Sequence, residues 1–309
     1  MKVYKSLDEF TALEKAVVTT GTFDGLHLGH QKIISHLQEV ANKINGETVI
    51  ITFHPHPRLV LFPDDNDLKL LSTLDEKIEL LAKANINHLI IIPFDKSFSR
   101  LTSLEFVRNI LINTIGTKKL VIGYDHHFGR NREGNFESLK ELSSNFDFDV
   151  EEIPAQDVNN VAVSSSKIRK SLLEGNVAYA AELLSYNYCI TGKVVEGNKL
   201  GRTIGYATAN IFVDDKYKLI PSNGVYAVLV HFGNQCFKGM MNIGVRPTVD
   251  GTKQTIEAHI FDFNADIYNQ NIKVEFVEFI RYEVKFDGLE SLKNQLAKDK
   301  INAIEILSK

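Results

Sequence analysis

The strongest constraint on the fold is a strand, a glycine-rich turn and an amphipathic helix that follow one another in residues 17–41. Residues 17–20 are all β-branched, and residues 21–30 contain three glycines. Beyond them the apolar side chains keep the 3.6-residue period of a helix, at Ile33, Ile34, Leu37, Val40 and Ala41. Such a turn points backbone N–H groups and the positive end of the helix dipole at a ligand above the strand, which favours a phosphate. We therefore expect a nucleotide to bind here.

Two histidines stand where this helix begins, in the order His27-Leu28-Gly29-His30. The turn lacks the Lys and Ser or Thr of a Walker loop, and it lacks the glycine spacing of a dinucleotide fingerprint. The two imidazoles can reach the same phosphate while Gly29 keeps the backbone clear, and two such donors stabilise charge that develops during phosphoryl transfer. The alternative is that both imidazoles only cap backbone groups. The strand before them and the apolar helix after them favour the catalytic interpretation.

Strands and helices alternate through the rest of the first half of the chain. Strands are predicted at residues 48–53, 88–93 and 119–124, and helices at residues 74–84 and 103–114. This βαβαβαβ order predicts a doubly wound parallel sheet, whose ligands bind beyond the carboxyl ends of the strands. Thr-Phe-His-Pro-His-Pro-Arg at 52–58 cannot continue a strand or a helix, which predicts a loop at one such end. That loop is either a plain connector or part of a site.

Ser164, Ser165 and Ser166 open a further helix, and another helix is predicted at residues 178–184. Serine is a good cap at a helix N-terminus, and capping alone is the default explanation. Arg169 lies one turn further on, on the same side as Ser165 and Ser166. Hydroxyls, free N–H groups and a guanidinium can together hold a polyphosphate, so this helix start is also a candidate phosphate site.

The pattern changes after residue 184, because short strands separated by Gly, Asn and Asp replace the helices until residue 289. The strands are predicted at residues 188–195, 224–232, 237–243, 255–263 and 272–282. Turn signals such as Gly233-Asn234 between them indicate antiparallel hairpins. An amphipathic helix at residues 289–307 follows. The sequence therefore predicts a small antiparallel barrel closed by one helix.

The predicted barrel carries its own polar constellation, which begins with Gly201 and Arg202 and continues to Thr208 and Asn210. Glycines beside Arg202 permit close approach of the backbone to a phosphate. Thr208 and Asn210 face the same way if the chain is extended, and a hydroxyl with an amide oxygen suits Mg²⁺. The alternative is a glycine-rich bend at a barrel corner. Glu257, in a predicted strand, would on local grounds face solvent.

Composition limits the class of protein. A chain of 309 residues with 44% hydrophobic content is long enough for two domains with separate cores. A net charge of −4 and a pI near 6.2 argue against a nucleic-acid-binding surface. Cys189 and Cys236 make no disulfide framework and no metal spacing, and the N-terminus lacks an apolar signal core. We expect a cytoplasmic protein that binds small molecules, with no nucleic acid and no membrane as partner.

Motifs spread over nearly the whole chain resemble those of the bacterial bifunctional riboflavin kinase/FAD synthetases. They include Gly-Thr-Phe-Asp-Gly-Leu-His-Leu-Gly-His at 21–30, Ser-Ser-Ser-Lys-Ile-Arg at 164–169, Gly-Tyr-Ala-Thr-Ala-Asn at 205–210 and Asn-Ile-Gly-Val-Arg-Pro-Thr at 242–248. The resemblance implies a Rossmann-like HxGH nucleotidylyltransferase domain at residues 1–184, acting as FMN adenylyltransferase. It implies a riboflavin kinase β-barrel with a terminal helix at residues 185–309.

The resemblance also implies the roles of individual residues. Catalysis would rest on His27 and His30 in the first domain and on Glu257, as general base, in the second. Nucleotide would bind at Gly21, Phe23, Gly29, Ser165, Ser166, Arg169, Gly201 and Arg202. Flavin would bind at His56, Pro57 and Asp125, the last within Gly-Tyr-Asp-His-His-Phe-Gly-Arg at 123–130. Mg²⁺ would bind at Thr208 and Asn210, with ATP, riboflavin and FMN as substrates.

Some positions depart from the family's pattern. Ser166 replaces a threonine and keeps the hydroxyl, Tyr206 replaces a phenylalanine, and Ala207 replaces a proline whose fixed φ would prepare the site. His126 and His127 also differ from the form expected in the flavin loop. Two alternatives to a bifunctional enzyme follow: an FMN adenylyltransferase whose barrel only binds flavin, or a non-catalytic flavin-sensing regulator. The main expectation is an enzyme that makes FAD from riboflavin and releases pyrophosphate. The sequence does not predict the oligomeric state.

Overall fold

The structure is a computed structural model that describes residues 1–64, 67–123, 127–130, 133–153, 163–197, 200–248 and 251–309. The chain divides into two compact units, Met1–Ser165 and Ser166–Lys309. The domain boundary predicted between residues 184 and 185 stays a prediction, because compactness alone does not assign the segment 166–184 to either activity. Among the described residues we find no helix with the length and hydropathy needed to span a bilayer.

A parallel sheet forms the centre of the first unit. Its strands are β1 (Lys2–Tyr4), β2 (Ala16–Thr20), β3 (Glu47–His54), β4 (His88–Pro93), β5 (Thr117–Gly123) and β6 (Asp149–Ile153). In the described part of the unit their order across the sheet is β1-β4-β3-β2-β5-β6, and every pairing is parallel. Because β2 lies between β3 and β5, the glycine-rich turn that follows it opens at the middle of the carboxyl edge.

Helices cover both faces of this sheet. They are α1 (Leu28–Ile44), α2 (Pro57–Leu61), α3 (Leu74–Lys83), α4 (Ser103–Glu105) with the π-helix Phe106–Ile115 that continues it, and α5 (Phe136–Phe146). Val17 of β2 packs in one apolar cluster with Leu37 of α1, whereas Val18 packs in another with Val107 of the π-helix. Successive side chains of a strand point to opposite faces. The predicted doubly wound sheet is therefore confirmed.

Some local predictions for this unit were wrong or incomplete. The stretch around Pro57 is not all loop, since α2 begins at Pro57 itself. Proline is tolerated at the first helical position because its missing N–H has no partner there in any case. The backbone N–H of Arg58 donates to His56 Nδ1 at 3.2 Å and so caps this helix. The short edge strands β1 and β6, with α5, were not predicted.

A closed barrel forms the second unit. Its strands are β7 (Cys189–Val195), β8 (Ala209–Phe212), β9 (Gly224–Phe232), β10 (Gln235–Thr248), β11 (Gly251–Ile260) and β12 (Asn271–Arg281). Their order around the barrel, in the described part of the unit, is β10-β11-β8-β7-β12-β9, and every pairing is antiparallel. Tyr226 and Phe276 are fully buried inside it. The predicted barrel is confirmed.

Helices precede, interrupt and follow the barrel strands. They are α6 (Ser165–Leu173), α7 (Val177–Leu184), α8 (Leu200–Thr203) and α9 (Leu289–Ile306). The prediction that helices are absent up to residue 289 was wrong, because α8 forms a single turn before β8. A segment of four residues carries too little periodicity to be recognised from its sequence.

A buried ion pair attaches α9 to the barrel. Arg281 Nε and Nη2 donate to the two oxygens of Asp299 at 2.8 and 2.6 Å, and Gln295 Nε2 donates to the same carboxylate at 2.9 Å. The side chain of Asp299 is 1% exposed and that of Arg281 is 20% exposed. The pair therefore holds the terminal helix through a bidentate, charge-assisted contact.

We expect Asp299→Asn to lower the thermal unfolding midpoint of the chain. Removing one partner of a buried pair leaves the other charge uncompensated, which costs about 3 kcal/mol. The matched control is Glu305→Gln, the same kind of change at an exposed position of α9. Scanning calorimetry of both variants beside the unsubstituted protein measures the effect. Equal midpoints for Asp299→Asn and Glu305→Gln would show that the pair does not hold the helix.

Candidate active sites

The turn after β2 has an unusual backbone. Phe23 and Leu26 have positive φ angles of 47° and 39°, which side chains other than glycine rarely adopt. The N–H of Gly21 donates to the carbonyl of Ile51 in β3 at 3.0 Å, so the turn is tied to the middle of the sheet. Strained backbone of this kind is retained where the surrounding structure enforces it, and it concentrates at functional sites.

The two histidines of this turn stack on each other. His27 is the N-cap of α1, His30 lies in its first turn, and their ring centroids are 3.8 Å apart with 14° between the planes. The ring of the buried Phe23 lies against His30, with centroids 5.2 Å apart. Gly29, between the histidines, is buried. The predicted pair is thus brought together, while the Phe23 side chain supports His30 from the core.

The environment keeps His30 neutral. Burial lowers the pKa of His30 well below its ordinary value, and the neighbouring His27 and Lys77 lower it further. His30 Nδ1 is buried and has no hydrogen-bond partner among the described residues. A neutral imidazole donates one N–H. The side chain can therefore offer a hydrogen bond to a phosphate oxygen.

Asp24 connects the turn to neighbouring segments by hydrogen bonds, a role that the sequence did not reveal. Its Oδ1 accepts hydrogen bonds from the backbone N–H groups of Leu71 and Ser72 at 2.9 and 3.1 Å. Its backbone carbonyl accepts from Ser165 Oγ at 3.1 Å. Ser165, predicted to bind nucleotide, is thus placed at the turn. In the sequence Asp24 appears only as an aspartate between a phenylalanine and a glycine. Its role could not be predicted from that, because its partners are 47 and 48 residues away.

The structure gives the positions of some of the other residues predicted at this site. Ser166 and Arg169 lie on α6 and belong to the second unit. Ser166 is exposed and Arg169 is half-buried. His56 and Pro57 follow the carboxyl end of β3, the same edge as the histidines. Asp125 lies outside the described residues. The nucleotide role of Arg169 and Ser166 and the flavin role of the other three stay predictions.

In the barrel, Glu257 faces a polar cluster instead of bulk solvent. Its position in β11 is directly opposite Asn210 of β8, and its side chain is 16% exposed. Thr208 Oγ1 donates to Glu257 Oε2 at 3.4 Å, and Arg246 Nη2 donates to Glu257 Oε1 at 2.5 Å. The expectation from local sequence, a solvent-facing glutamate, was wrong because β11 pairs with its neighbour β8, which sets Glu257 opposite Asn210. Arg246, which the sequence analysis did not select, holds the carboxylate.

The oxygen donors of this cluster fit a magnesium ion. Thr208 offers a hydroxyl, Asn210 an amide oxygen and Glu257 a carboxylate, and all three line one cavity. Hard oxygen ligands of these types are the ones that Mg²⁺ binds. Gly197 makes room for the amide, since a Cβ there would collide with the Asn210 side chain. The residues present are therefore suited to the ion that the sequence predicts.

The cavity has a volume of about 220 Å³. Beyond the polar cluster it is lined by apolar side chains of the barrel and of α9, among them Met240, Phe286, Leu292 and Leu296. Gly201 also lines it, and a Cβ at Gly201 would collide with the carbonyl of Tyr206. Arg202, the other predicted nucleotide ligand, is exposed on α8. A polar end beside an apolar wall is typical of a small-molecule site.

His259 fixes the segment in which alanine replaces proline. Its Nδ1–H donates to the carbonyl of Ala207 at 2.8 Å, and its ring lies edge-on to Tyr206 with centroids 5.3 Å apart. Burial lowers the pKa of His259, so the imidazole remains neutral. The hydrogen bond restrains the backbone next to Thr208. A proline at residue 207 would restrict this segment by fixing its φ angle. With alanine there, the hydrogen bond supplies part of that restriction.

Comparisons with known proteins cover both units. The family model described as FAD synthetase matches residues 9–167, and the one described as riboflavin kinase matches residues 184–307. A bifunctional riboflavin kinase/FMN adenylyltransferase of Buchnera aphidicola is 38% identical over 100% of this chain and 98% of its own length. One from Escherichia coli K12 is 37% identical over 94% of this chain and 93% of its own.

A solved structure is similar over both units. It is described as a macrolide-efflux protein from Streptococcus pneumoniae, and it superposes with a TM-score of 0.87 at 33% identity. The superposition covers 97% of each chain. The fold described above is therefore one that also occurs as a complete chain in an experimental structure.

Proposed function

The chain belongs to the bifunctional riboflavin kinase/FMN adenylyltransferase family, and from that premise we propose which residues carry each of its two activities. The enzyme phosphorylates riboflavin to FMN with ATP, and it transfers AMP from a second ATP to FMN to give FAD and pyrophosphate. The observation that carries the assignment of residues is the pair of separate polar clusters: the stacked histidines of the first unit and the Glu257 cluster of the second.

We assign adenylyl transfer to His27 and His30. An oxygen of the FMN phosphate attacks the α-phosphorus of ATP, and the bond to pyrophosphate breaks. The two imidazoles donate N–H groups to phosphate oxygens on which negative charge grows during this step. Backbone N–H groups in the first turn of α1, where Gly29 lies, add to this attraction. Gly21, whose own N–H is bonded to Ile51, is assigned to the close approach of the nucleotide to the turn. Phe23 holds His30 in place through its ring.

We assign riboflavin phosphorylation to Glu257. The 5′-hydroxyl oxygen of riboflavin attacks the γ-phosphorus of ATP, its proton passes to the carboxylate, and ADP leaves. Arg246 holds Oε1 and thereby orients Oε2 towards Thr208 and the cavity. Thr208 and Asn210 would hold Mg²⁺, which when bound neutralises negative charge on the phosphates of ATP. Gly201 and Arg202 are assigned to the nucleotide at the same end of the barrel.

The remaining assignments extend this proposal. Ser165, Ser166 and Arg169 are assigned to the phosphates of ATP in adenylyl transfer, on the strength of the bond from Ser165 to the turn. The flavin ring of FMN is assigned to His56, Pro57 and Asp125. We place the protein in the cytoplasm, a reducing compartment in which its two cysteines, Cys189 and Cys236, would stay free thiols. The net charge of −4 supports a protein without nucleic-acid partners.

The experiment that tests the function is direct. Purified protein is incubated with riboflavin, ATP and MgCl₂, and FMN and FAD are separated by chromatography over time. We expect FMN to appear first and FAD to follow. Formation of FAD only when FMN is supplied would reduce the barrel to a flavin-binding module, and no turnover of either flavin would favour a regulator.

We expect Asn210→Ala to abolish conversion of riboflavin to FMN and to leave FMN adenylylation near its normal rate. The two polar clusters lie in separate units with separate cores, so loss of one ligand in the barrel does not reach the histidines. Both rates are measured on one preparation. Asn264→Ala, at an exposed position after β11, is the matched control. Loss of both activities in a folded Asn210→Ala protein would contradict separate sites.

A further inference from the structure

A buried lysine lies in the first unit at a place where a cation is unfavourable. Lys77 is in the first turn of α3, whose N-cap is Thr73, and the residue is only 6% exposed. The positive end of a helix dipole repels a cation there. Lysine is almost never fully buried unless it is paired. A buried lysine at this position therefore needs a negatively charged partner, from the protein or from a ligand.

Among the described residues, no acidic side chain forms an ion pair with Lys77. The ammonium of Lys77 makes one long hydrogen bond, 3.5 Å to Thr52 Oγ1, and no carboxylate lies within ion-pair distance of it. Burial lowers the pKa of Lys77, and the charge of the more distant Asp24 only opposes this. Asp24 Oδ1 is already occupied by the N–H groups of Leu71 and Ser72. The cation is thus incompletely compensated.

The neighbours of Lys77 place its ammonium at the adenylyl-transfer site. Thr52 is near the carboxyl end of β3, and its Oγ1 also donates to the carbonyl of Thr22 in the glycine-rich turn at 3.3 Å. The charge of Lys77 also adds, after burial and His27, to the lowering of the His30 pKa. The two hydrogen bonds therefore place the ammonium beside the carboxyl end of β3 and the glycine-rich turn, where a phosphate would be expected.

We propose that Lys77 is a further residue of the adenylyl-transfer site, where its ammonium binds the triphosphate of ATP and then the departing pyrophosphate. This inference rests on the proposed function of His27 and His30. The negative charge that the buried cation lacks in the protein is supplied by the substrate. As charge moves onto the leaving pyrophosphate, attraction to a preorganised ammonium grows, so the residue favours the transition state over the ground state.

The test is Lys77→Met, which keeps an unbranched side chain, one atom shorter, and removes its charge. We expect kcat/KM for ATP in FAD formation to fall about 10²- to 10³-fold. In the reverse reaction, FAD with pyrophosphate, KM for pyrophosphate should rise. Riboflavin phosphorylation by the same preparation should not change and serves as an internal control. Lys83→Met, at the exposed end of α3, is the matched control and should leave both activities unchanged.

A purely structural role for Lys77 makes a different prediction. If the lysine only compensates buried Asp24, Lys77→Met lowers the unfolding midpoint but leaves KM for pyrophosphate unaltered in the protein that remains folded. That result, or FAD formation within about threefold of normal, overturns the inference. Should Lys77→Met not fold, Lys77→Arg carries the test, because it keeps the charge but moves the donors. We expect KM for pyrophosphate to rise about tenfold in Lys77→Arg, and an unchanged value overturns the inference.

Comparison with His30→Ala separates this inference from the proposed function. If His30→Ala loses FAD formation while Lys77→Met keeps it, the histidine site stands and only the role of Lys77 fails. If both variants form FAD normally, the proposed site itself fails.

Discussion

His30→Ala should lower the rate of FAD formation from FMN about 10²-fold or more, and it should leave FMN formation from riboflavin unchanged. The imidazole is half-buried and neutral, because its pKa is lowered well below the ordinary value, and it stacks on His27. The stacking holds the ring in one orientation, so it needs no reorganisation when charge develops on the phosphate. The two rates are measured separately, with FMN and with riboflavin as the starting flavin. His27→Ala should have the same effect, because the two rings form one stacked unit.

His36→Ala is the matched control for this prediction. It removes the same side chain from the same helix, but His36 contacts Glu39 and Glu151 away from the turn. We expect FAD formation to stay within about twofold of normal, since surface ion pairs of this kind contribute little. FAD synthesis at full rate in both His27→Ala and His30→Ala would remove the histidines from the mechanism.

The strand, turn and helix around His27 could be predicted because every signal there is local. The 3.6-residue period of α1, the β-branched strand and the glycines all lie within 25 residues of each other. The same holds for the alternation that predicts the parallel sheet and for the turn signals that predict the barrel. Fold class in both units follows from such short-range patterns.

The residues that the sequence did not reveal are those whose meaning depends on distant contacts. Lys77 looks like an ordinary helix lysine until the fold places Thr52, 25 residues away, beside it. Asp24 and Arg246 are similar cases, since each acts on residues that only the tertiary structure brings near. Strand β6 was missed for another reason: as a half-exposed edge strand of charged residues it lacks the apolar run of a central strand.

Glu257 shows the limit of local pattern most clearly. A glutamate between apolar strand residues is expected in solvent, and the local pattern alone did not place it in a polar cluster. Only the resemblance to a known family pointed to a role for it. Pairing of β8 with β11 sets it opposite Asn210, while Arg246 comes from β10, the strand on the other side of β11. Three strands thus converge on one carboxylate.

Glu257→Gln should lower kcat for FMN formation about 10²- to 10⁴-fold. Glutamine keeps the size of the side chain and can still accept a hydrogen bond from Arg246, so the cluster stays assembled. What it loses is the ability to take the proton of the riboflavin 5′-hydroxyl. KM for ATP should change little, and FAD formation from supplied FMN should not change. The measurement is kcat and KM for riboflavin phosphorylation over a range of Mg²⁺ concentrations.

The Mg²⁺ series distinguishes a general base from a metal ligand at this position. A base predicts a low kcat that added Mg²⁺ does not restore, whereas a ligand predicts a rate that rises again with more metal. Glu278→Gln, on the exposed side of β12, is the matched control and should behave like the unsubstituted protein. An unchanged kcat in Glu257→Gln would remove Glu257 from the mechanism. Phosphorylation would then have to be explained by Thr208, Asn210 and the metal they are proposed to hold, with water taking the proton.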